Sequence, residues 1–300
     1  MTYLEKSLKE GKTYDQIVPI DVYSYSELLE RLKTLPIPKV VPTGVPSLDN
    51  AIGGFEAGRL YVLSAMTKNG KTTMAQTFMW NMARKGEPSL MFSYEMGWQE
   101  IIKVFQRMNE KMNCQVEMPL YLPLELHRGG GELQFNWLFE AIAKAQEEKG
   151  IKFVVIDHLH FLLPLKDYNN TSFLIGGIVR ELKRMSVALN IPIMLIAHTS
   201  KLKDDKIPDW TDIRDSSFIT QEADVVMMIY RKKAEIRAKK ITSDSVEEVY
   251  TNEAVLSVEL NRMNGQTKKV LMIHNGAIFV EVDKMSSFAN TIIEKVLPNM

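Results

Sequence analysis

Residues 65–73, Ala65-Met66-Thr67-Lys68-Asn69-Gly70-Lys71-Thr72-Thr73, carry the spacing of a phosphate-binding loop. Such a loop works because its backbone N–H groups and the N-terminus of the next helix point at one anion, where the helix dipole also favours negative charge. Gly70 lets the backbone approach closely, Lys71 is placed to reach the β- and γ-phosphates, and the Thr72 hydroxyl is a ligand for Mg²⁺. The chemistry predicted is the binding of ATP together with Mg²⁺. Ala65 stands where the general pattern has its first glycine, so the loop by itself also fits an ordinary strand–turn–helix with an incidental Gly-Lys-Thr.

Apolar strands that end in polar groups strengthen the first reading. Lys152-Phe-Val-Val-Ile-Asp157 closes on a carboxylate, and an acid at the end of a strand buried on both faces is expensive without a partner such as metal-bound water. Asp157 is thus the Walker-B-type residue expected to serve Mg²⁺; the plainer alternative is an N-cap for the next segment. Leu90-Met-Phe-Ser-Tyr-Glu95 ends the same way. Ligands of open α/β sheets sit at the carboxyl ends of strands, so Glu95 is expected beside the nucleotide, orienting or deprotonating the attacking water. An acid that merely stabilises a nearby helix start is the other reading. Ile193-Met-Leu-Ile-Ala-His198-Thr199 repeats the arrangement, with His198 a candidate sensor of the γ-phosphate. His158 and His160 are candidates for a similar role or for capping the strand; no zinc-ligand spacing links the three histidines.

The elements that position these groups alternate from Thr43 onward. Strands are expected at Arg59–Ala65, Ser89–Ser93, Phe153–Ile156, Ile193–Ala197 and Val225–Tyr230. Helices are expected at Lys71–Arg84 (apolar face Met74, Ala75, Phe78, Met79, Met82), from about Gln99 to Met112, and at Leu133–Glu148 and Thr171–Leu189. Buried strands between amphipathic helices predict an α/β fold with a largely parallel twisted sheet flanked by helices. Short strands at Val255–Leu260, Lys269–His274 and Ala277–Val282, with turn signals at Asn264-Gly265 and Asn275-Gly276, predict an antiparallel C-terminal extension, with a helix over Phe288–Val296 after it. Before the alternation begins, residues 24–34 form a short amphipathic helix with Leu28, Leu29 and Leu32 on one side, ended by Pro36 and Pro38. That helix either packs on its own domain or docks on a neighbouring subunit.

Composition narrows the class. The 300 residues carry 37 basic and 37 acidic side chains, which argues against a uniformly basic nucleic-acid-coating protein but not against basic loops. One cysteine, Cys114, excludes an intramolecular disulfide and fits a reducing, cytoplasmic setting. The N-terminal stretch lacks the apolar core of a signal peptide, and no apolar run is long enough to span a bilayer, so no membrane role is expected.

Taken together and in this order, these motifs resemble the RecA-like motor domain of DnaB/Twinkle-type replicative helicases. The resemblance covers about residues 42–282. It rests on the lead-in Pro42-Thr-Gly-Val-Pro-Ser-Leu-Asp-Asn-Ala-Ile-Gly-Gly, on a loop that in this family commonly begins with Ala, and on MFSYEM with Glu95 at the catalytic glutamate. VVIDHLHFL and LNIPIMLIAHT match the two next strands, with His160 and His198 where Gln is usual, and DIRDSSFITQEADVVMMIYR (212–231) is similar to the segment after the DNA-binding loop. Leu260-Asn-Arg-Met-Asn-Gly265 resembles the stretch that supplies an arginine finger to the neighbouring subunit, which carries that role onto Arg262; Leu260 departs from the basic residue the family has there.

The resemblance implies a 1–40 N-terminal arm with a linker-type helix and a 41–300 P-loop motor domain. It implies a homo-oligomeric, commonly hexameric ring that hydrolyses ATP and translocates on single-stranded DNA. No counterpart of the domain that precedes the motor in full-length relatives is visible, and the expectation is a loader or primase supplied in trans, an accessory motor, or a motor that does not unwind duplexes at all. Single-stranded DNA is expected on the loops Pro164–Thr171 and Ser200–Pro208, where Lys166, Lys201, Lys203 and Lys206 are candidates for phosphate contacts. A RecA/KaiC-like recombinase or regulatory ATPase without unwinding activity remains the alternative, and a nucleotide-binding structural ring or loading adaptor a third.

Overall fold

The structure, a computed structural model, describes residues 23–34, 39–114, 119–127, 131–163, 171–199, 209–213, 216–240 and 243–282. Lys166, Lys201, Lys203, Lys206 and the helix expected at 288–296 lie outside the described residues. The chain divides into two compact units, Met1–Pro38 and Lys39–Met300.

In the first unit, helix α1 (Tyr25–Thr34) starts where Ser24 and Glu27 cap each other: the Ser24 N–H donates to Glu27 Oε2 at 2.7 Å and Glu27 N–H to Ser24 Oγ at 3.4 Å. Leu28, Leu29 and Leu32 are exposed.

In the second unit β1 (Val40–Val41) pairs with β2 (Phe55–Glu56) around helix α2 (Pro46–Ile52). The central sheet then takes β3 (Leu60–Ala65), β4 (Ser89–Ser93), β5 (Leu120–Tyr121), β6 (Phe153–Asp157), β7 (Ile193–His198), β8 (Val225–Lys240), β9 (Ser243–Asn261), β10 (Lys268–His274) and β11 (Phe279–Glu281). These nine strands lie in the order β11-β10-β9-β8-β3-β7-β6-β4-β5. Strands β8 through β5 in that order are mutually parallel, and β9, β10 and β11 extend the edge antiparallel.

Period-2 alternation splits the core into two halves. Tyr61, Leu63, Val155, Met194, Ile196 and Met227 face a cluster with α2, α3 (Lys71–Ala83) and α4 (Trp98–Lys111). Leu60, Val62, Val154, Ile156, Leu195 and Val226 face another with α5 (Gly131–Lys149), α6 (Thr171–Ala188) and α7 (Ser216–Glu222). Helices on both faces explain why β3, β4 and β6 are buried along their whole length.

Two sequence expectations need correction. Helix α3 is not amphipathic: besides its apolar face, Gln76, Thr77 and Trp80 are buried. It passes under the C-terminal strands, where Thr77 and Trp80 find partners inside: Thr77 Oγ1 donates to Thr73 O at 2.8 Å and accepts from Phe279 N–H at 3.2 Å, and Trp80 Nε1 donates to Asn109 Oδ1 at 2.9 Å, whereas the buried Gln76 Nε2 makes no hydrogen bond. Strands β8 and β9 are also far longer than Val225–Tyr230 and Val255–Leu260, because they continue as a paired ribbon from Lys233↔Tyr250 to Lys240↔Ser243. That ribbon is held by its ladder hydrogen bonds, and the charged run Arg231–Lys240 offers no apolar period by which to read it.

At the amino-terminal edge of the sheet, Asp224 (7% exposed) fixes the start of β3. Its Oδ2 accepts from Leu60 N–H and from Lys183 Nζ, both at 2.7 Å, and Arg59 Nη1 lies 3.4 Å from Oδ1. Among the described residues no helix is long and apolar enough to cross a membrane. Asp224→Ala takes the acceptor from the buried Leu60 N–H and the carboxylate from Lys183, whose Nζ keeps only the Gly58 carbonyl at 2.9 Å, and a loss of about 2–4 kcal/mol is expected. Urea unfolding of the variant checks this, and an unchanged midpoint contradicts it.

Candidate active site

Register brings the chemistry to one edge. Ala65, the last residue of β3, pairs with His198; Asp157 pairs with Ile196 and with Ser93. The carboxyl ends of β3, β7, β6 and β4 are therefore neighbours, and the loop 65–73, His198, Asp157 and Glu95 all leave from them. The structure brings Lys71, Thr72, Asp157, Glu95 and His198 of the residues singled out from the sequence to this edge.

The loop has the backbone its glycine implies. Gly70 has φ +87°, and a Cβ there would sit 2.8 Å from Phe279 Cζ, so both conformation and space demand glycine. Lys68 also has a positive φ of 66°. Asn69 N–H donates to Met66 O at 3.1 Å, and Met74 N–H to Gly70 O at 2.8 Å as α3 begins. Lys71 is the first helical residue and is 8% exposed.

Thr72 Oγ1 donates to Asp157 Oδ2 at 2.8 Å. The other carboxylate oxygen, Asp157 Oδ1, is buried and takes no hydrogen bond. Burial pushes the Asp157 carboxyl up to about 6, against the Thr72 hydrogen bond and the Lys71 charge, which favour the anion. Burial likewise lowers Lys71, opposed by the charges of Asp157 and Glu95. An ammonium and a carboxylate, both desolvated, with one oxygen lacking a donor, fit a site made for a phosphate and a hard dication. Thr72 and Asp157 are the residues that fit Mg²⁺.

Glu95 reaches this corner from a turn whose neighbours pin it. Tyr94 N–H donates to Asp157 O at 2.7 Å, and the buried Tyr94 hydroxyl accepts from Gln134 Nε2 at 3.0 Å. Ser93 Oγ donates to Met96 O at 3.0 Å. With Tyr94 held inward, Glu95 points outward, its side chain 49% exposed, with Oε2 3.9 Å from His158 Nε2. His158 is buried, and its imidazole pKa falls to about 3 through desolvation and then the charges of His198, His160 and Lys71. His198 meets His158 edge to face at 4.3 Å between centroids, and His160 lies 5.5 Å from His158 and 5.8 Å from His198. Three histidines unrelated by spacing thus share one corner because β6 and β7 end side by side.

Arg262 is elsewhere. Asn261 pairs with Val225, which pairs with Tyr61 at the start of β3. Arg262 therefore sits at the amino-terminal edge, roughly 17 Å along the strands from the loop, at ~3.3 Å per residue. It is exposed, its N–H donates to Asp224 O at 2.8 Å and its Nη2 to Thr220 O at 2.7 Å.

Sequence reasoning missed the residues that flank the loop from the C-terminal strands. Arg231 N–H donates to Asn69 Oδ1 at 2.7 Å, Asn69 Nδ2 lies 3.4 Å from the Tyr250 hydroxyl, and Phe279 covers Gly70. Only the end of the apolar run at Tyr230-Arg231 hinted at a change of environment along that strand.

A largely parallel sheet flanked by helices, with the loop at its centre and an antiparallel edge, defines a RecA-like P-loop ATPase fold. A solved structure described as a DnaB-like replicative helicase and its interactions with primase shares it at TM-score 0.66 and 18% identity, over 93% of this chain and 71% of that one. A second solved structure, described as an ATPase domain, matches at TM-score 0.66 and 20% identity, over 88% of this chain and 100% of that one. The model of the family described as DnaB-like helicase C terminal domain matches residues 40–119 and 105–280, and the chain belongs to that family. Replicative DNA helicase DnaC of Bacillus subtilis (strain 168) is 28% identical over 213 residues, 64% of this chain and 47% of the relative. Replicative DNA helicase DnaB of Leifsonia xyli subsp. xyli is 27% identical over 267 residues, 79% of this chain and 54% of the relative. The chain spans about half the length of these curated relatives.

The raised Asp157 carboxyl yields a pH prediction. Its pKa is about 6 in the folded chain against an ordinary 3.8, so the folded state holds that proton more tightly than the unfolded one. The stability this confers is complete below about pH 4 and lost as pH rises through about 6. Asp157→Asn should therefore stabilise the nucleotide-free chain at about pH 7.5, by up to ~3 kcal/mol, with the gain shrinking towards about pH 4. Denaturant unfolding across that range checks it; a variant less stable than wild type at about pH 7.5 contradicts the burial argument.

Proposed function

We propose that this chain is the ATP-hydrolysing motor of a replicative-type DNA helicase, working in the cytoplasm as a ring, commonly a hexamer, on single-stranded DNA. The observation that carries the reading is the meeting of Lys71, Thr72, Asp157, Glu95 and His198 at one sheet edge, while Arg262 faces outward from the other. Family membership supports the same reading. So does the convergent donor set, because a static nucleotide-binding adaptor has no use for a half-exposed glutamate beside a phosphate loop.

The chain's own residues divide the work. Backbone N–H groups of residues 65–73 and Lys71 hold the phosphates, and Thr72 and Asp157 hold Mg²⁺. When bound, that ion neutralises charge on the β- and γ-phosphate oxygens. Glu95 orients the attacking water and accepts its proton, and His198 senses the γ-phosphate. Arg262 lies too far from its own loop to assist there, so its guanidinium serves the site of a neighbouring subunit and offsets charge developing in the transition state. In this reading residues 1–40 are a linker arm and 41–300 the motor domain. The lysines of the loops at 164–171 and 200–208 follow DNA phosphates. No specific observation favours the recombinase or regulatory alternative.

ATPase rate with and without single-stranded DNA is the test, on protein whose mass is measured in the same buffer. Lys71→Ala should abolish hydrolysis. Arg262→Ala should keep nucleotide binding and lose roughly 10³-fold or more in turnover, and mixing the two variants should restore part of it through hybrid interfaces. Normal hydrolysis by Arg262→Ala would remove the finger assignment.

A further inference from the structure

Glu95, His158 and His198 each present a ligand atom, and the three atoms lie within 4.8 Å of one another. They come from the ends of β4, β6 and β7, adjacent strands whose register is fixed by continuous parallel ladders. We propose that these three side chains form a binding site for one transition-metal dication of the zinc class when the nucleotide is absent.

Two imidazoles and one carboxylate are a donor set that zinc accepts, with water completing the tetrahedron. Mg²⁺ prefers oxygen ligands and an octahedral shell, so it has little claim on this corner. The Asp157 and Thr72 oxygens next door are the harder site. The two sites therefore differ in chemistry although they are neighbours.

The geometry needs a small closure. Ligand atoms around a tetrahedral zinc with bonds of about 2.0–2.1 Å stand roughly 3.4 Å apart. The His158 Nε2 to Glu95 Oε2 separation is 3.9 Å, and no pair in the cluster exceeds 4.8 Å. Glu95, at 49% side-chain exposure, has room to move, while the buried His158 gives the site a fixed wall. Ligation through His158 Nε2 moves the ring proton to Nδ1. The Nδ1 that accepts a 3.3 Å hydrogen bond from His160 N–H then carries a proton facing that donor, so the His160 amide must shift away as the metal binds, a cost that the coordinate bonds offset. Lys71 is the opposing charge, since its ammonium acts on His158, and the Glu95 carboxylate interacts with that ammonium in turn.

Metal uptake by itself does not depend on the ATPase assignment. Its consequence does: a Glu95 committed to a metal no longer serves the attacking water, so occupancy stops hydrolysis.

The test is titration of the full chain, without nucleotide, with Co²⁺ followed by its visible ligand-field absorption, together with equilibrium dialysis against Zn²⁺. One equivalent is expected, with the intense bands of a tetrahedral site. Glu95→Gln and His198→Gln should each weaken uptake at least about ten-fold, and Cys114→Ser should leave it as in wild type. Glu95 is exposed, so its variant keeps the fold, which circular dichroism verifies. No uptake by wild type, or uptake by Glu95→Gln and His198→Gln equal to wild type, overturns the proposal. Metal binding without loss of ATPase would leave the site standing and remove only its link to Glu95 chemistry.

Discussion

The carboxylate of Asp157 is buried at the end of a strand that is itself buried on both faces. One of its oxygens is satisfied by Thr72 and the other is not, while the Lys71 ammonium beside it is desolvated as well. Such an arrangement opposes folding, because both groups lose water before a ligand replaces it. The rest of the fold can be understood as the scaffold that tolerates this corner. Two hydrophobic layers sandwich the strands, α3 is buried almost all round, and Asp224 anchors β3 at the far end. The stability of those layers offsets the cost of a pre-assembled polar edge.

The sheet also has a direction, and the two edges carry different chemistry. The carboxyl-terminal edge gathers the loop, Asp157, Glu95 and the histidines. The amino-terminal edge gathers Asp224, Lys183, Arg59 and Arg262. Because β9 runs antiparallel to β8, its C-terminal end returns the chain to the far edge, and Arg262 follows from that topology alone. An arginine that the topology keeps away from its own loop makes chemical sense at a boundary between subunits, which is why the proposed motor is an assembly.

Most of the parallel core was legible in the sequence. Strands such as Phe153–Asp157 and Ile193–His198 are short apolar runs closed by a polar residue, and burial on both faces erases every other pattern. The acids and His198 were readable for the same reason, since a polar group ending such a run needs a purpose. What escaped was whatever depends on long-range contact. Gln76 and Trp80 lie outside the apolar face of α3 that the sequence marks, yet both are buried, Trp80 against Asn109 of α4. The ribbon continuing β8 and β9 has no apolar period, and Arg231, Tyr250 and Phe279 join the loop only through that C-terminal extension. The three histidines were named from the sequence as strand-end candidates, but not that His158 and His198 would touch: the lateral pairing of β6 and β7 brings them together, which spacing does not encode.

A crystal structure of the chain with Mg²⁺ and a non-hydrolysable ATP analogue tests the central claim most directly. The account predicts the triphosphate wrapped by residues 65–73, the metal at Thr72 with Asp157 behind it, and Glu95 facing the γ-phosphate. A nucleotide bound elsewhere on the molecule, or one seated in the loop with Asp157 still buried against no ligand, would contradict it.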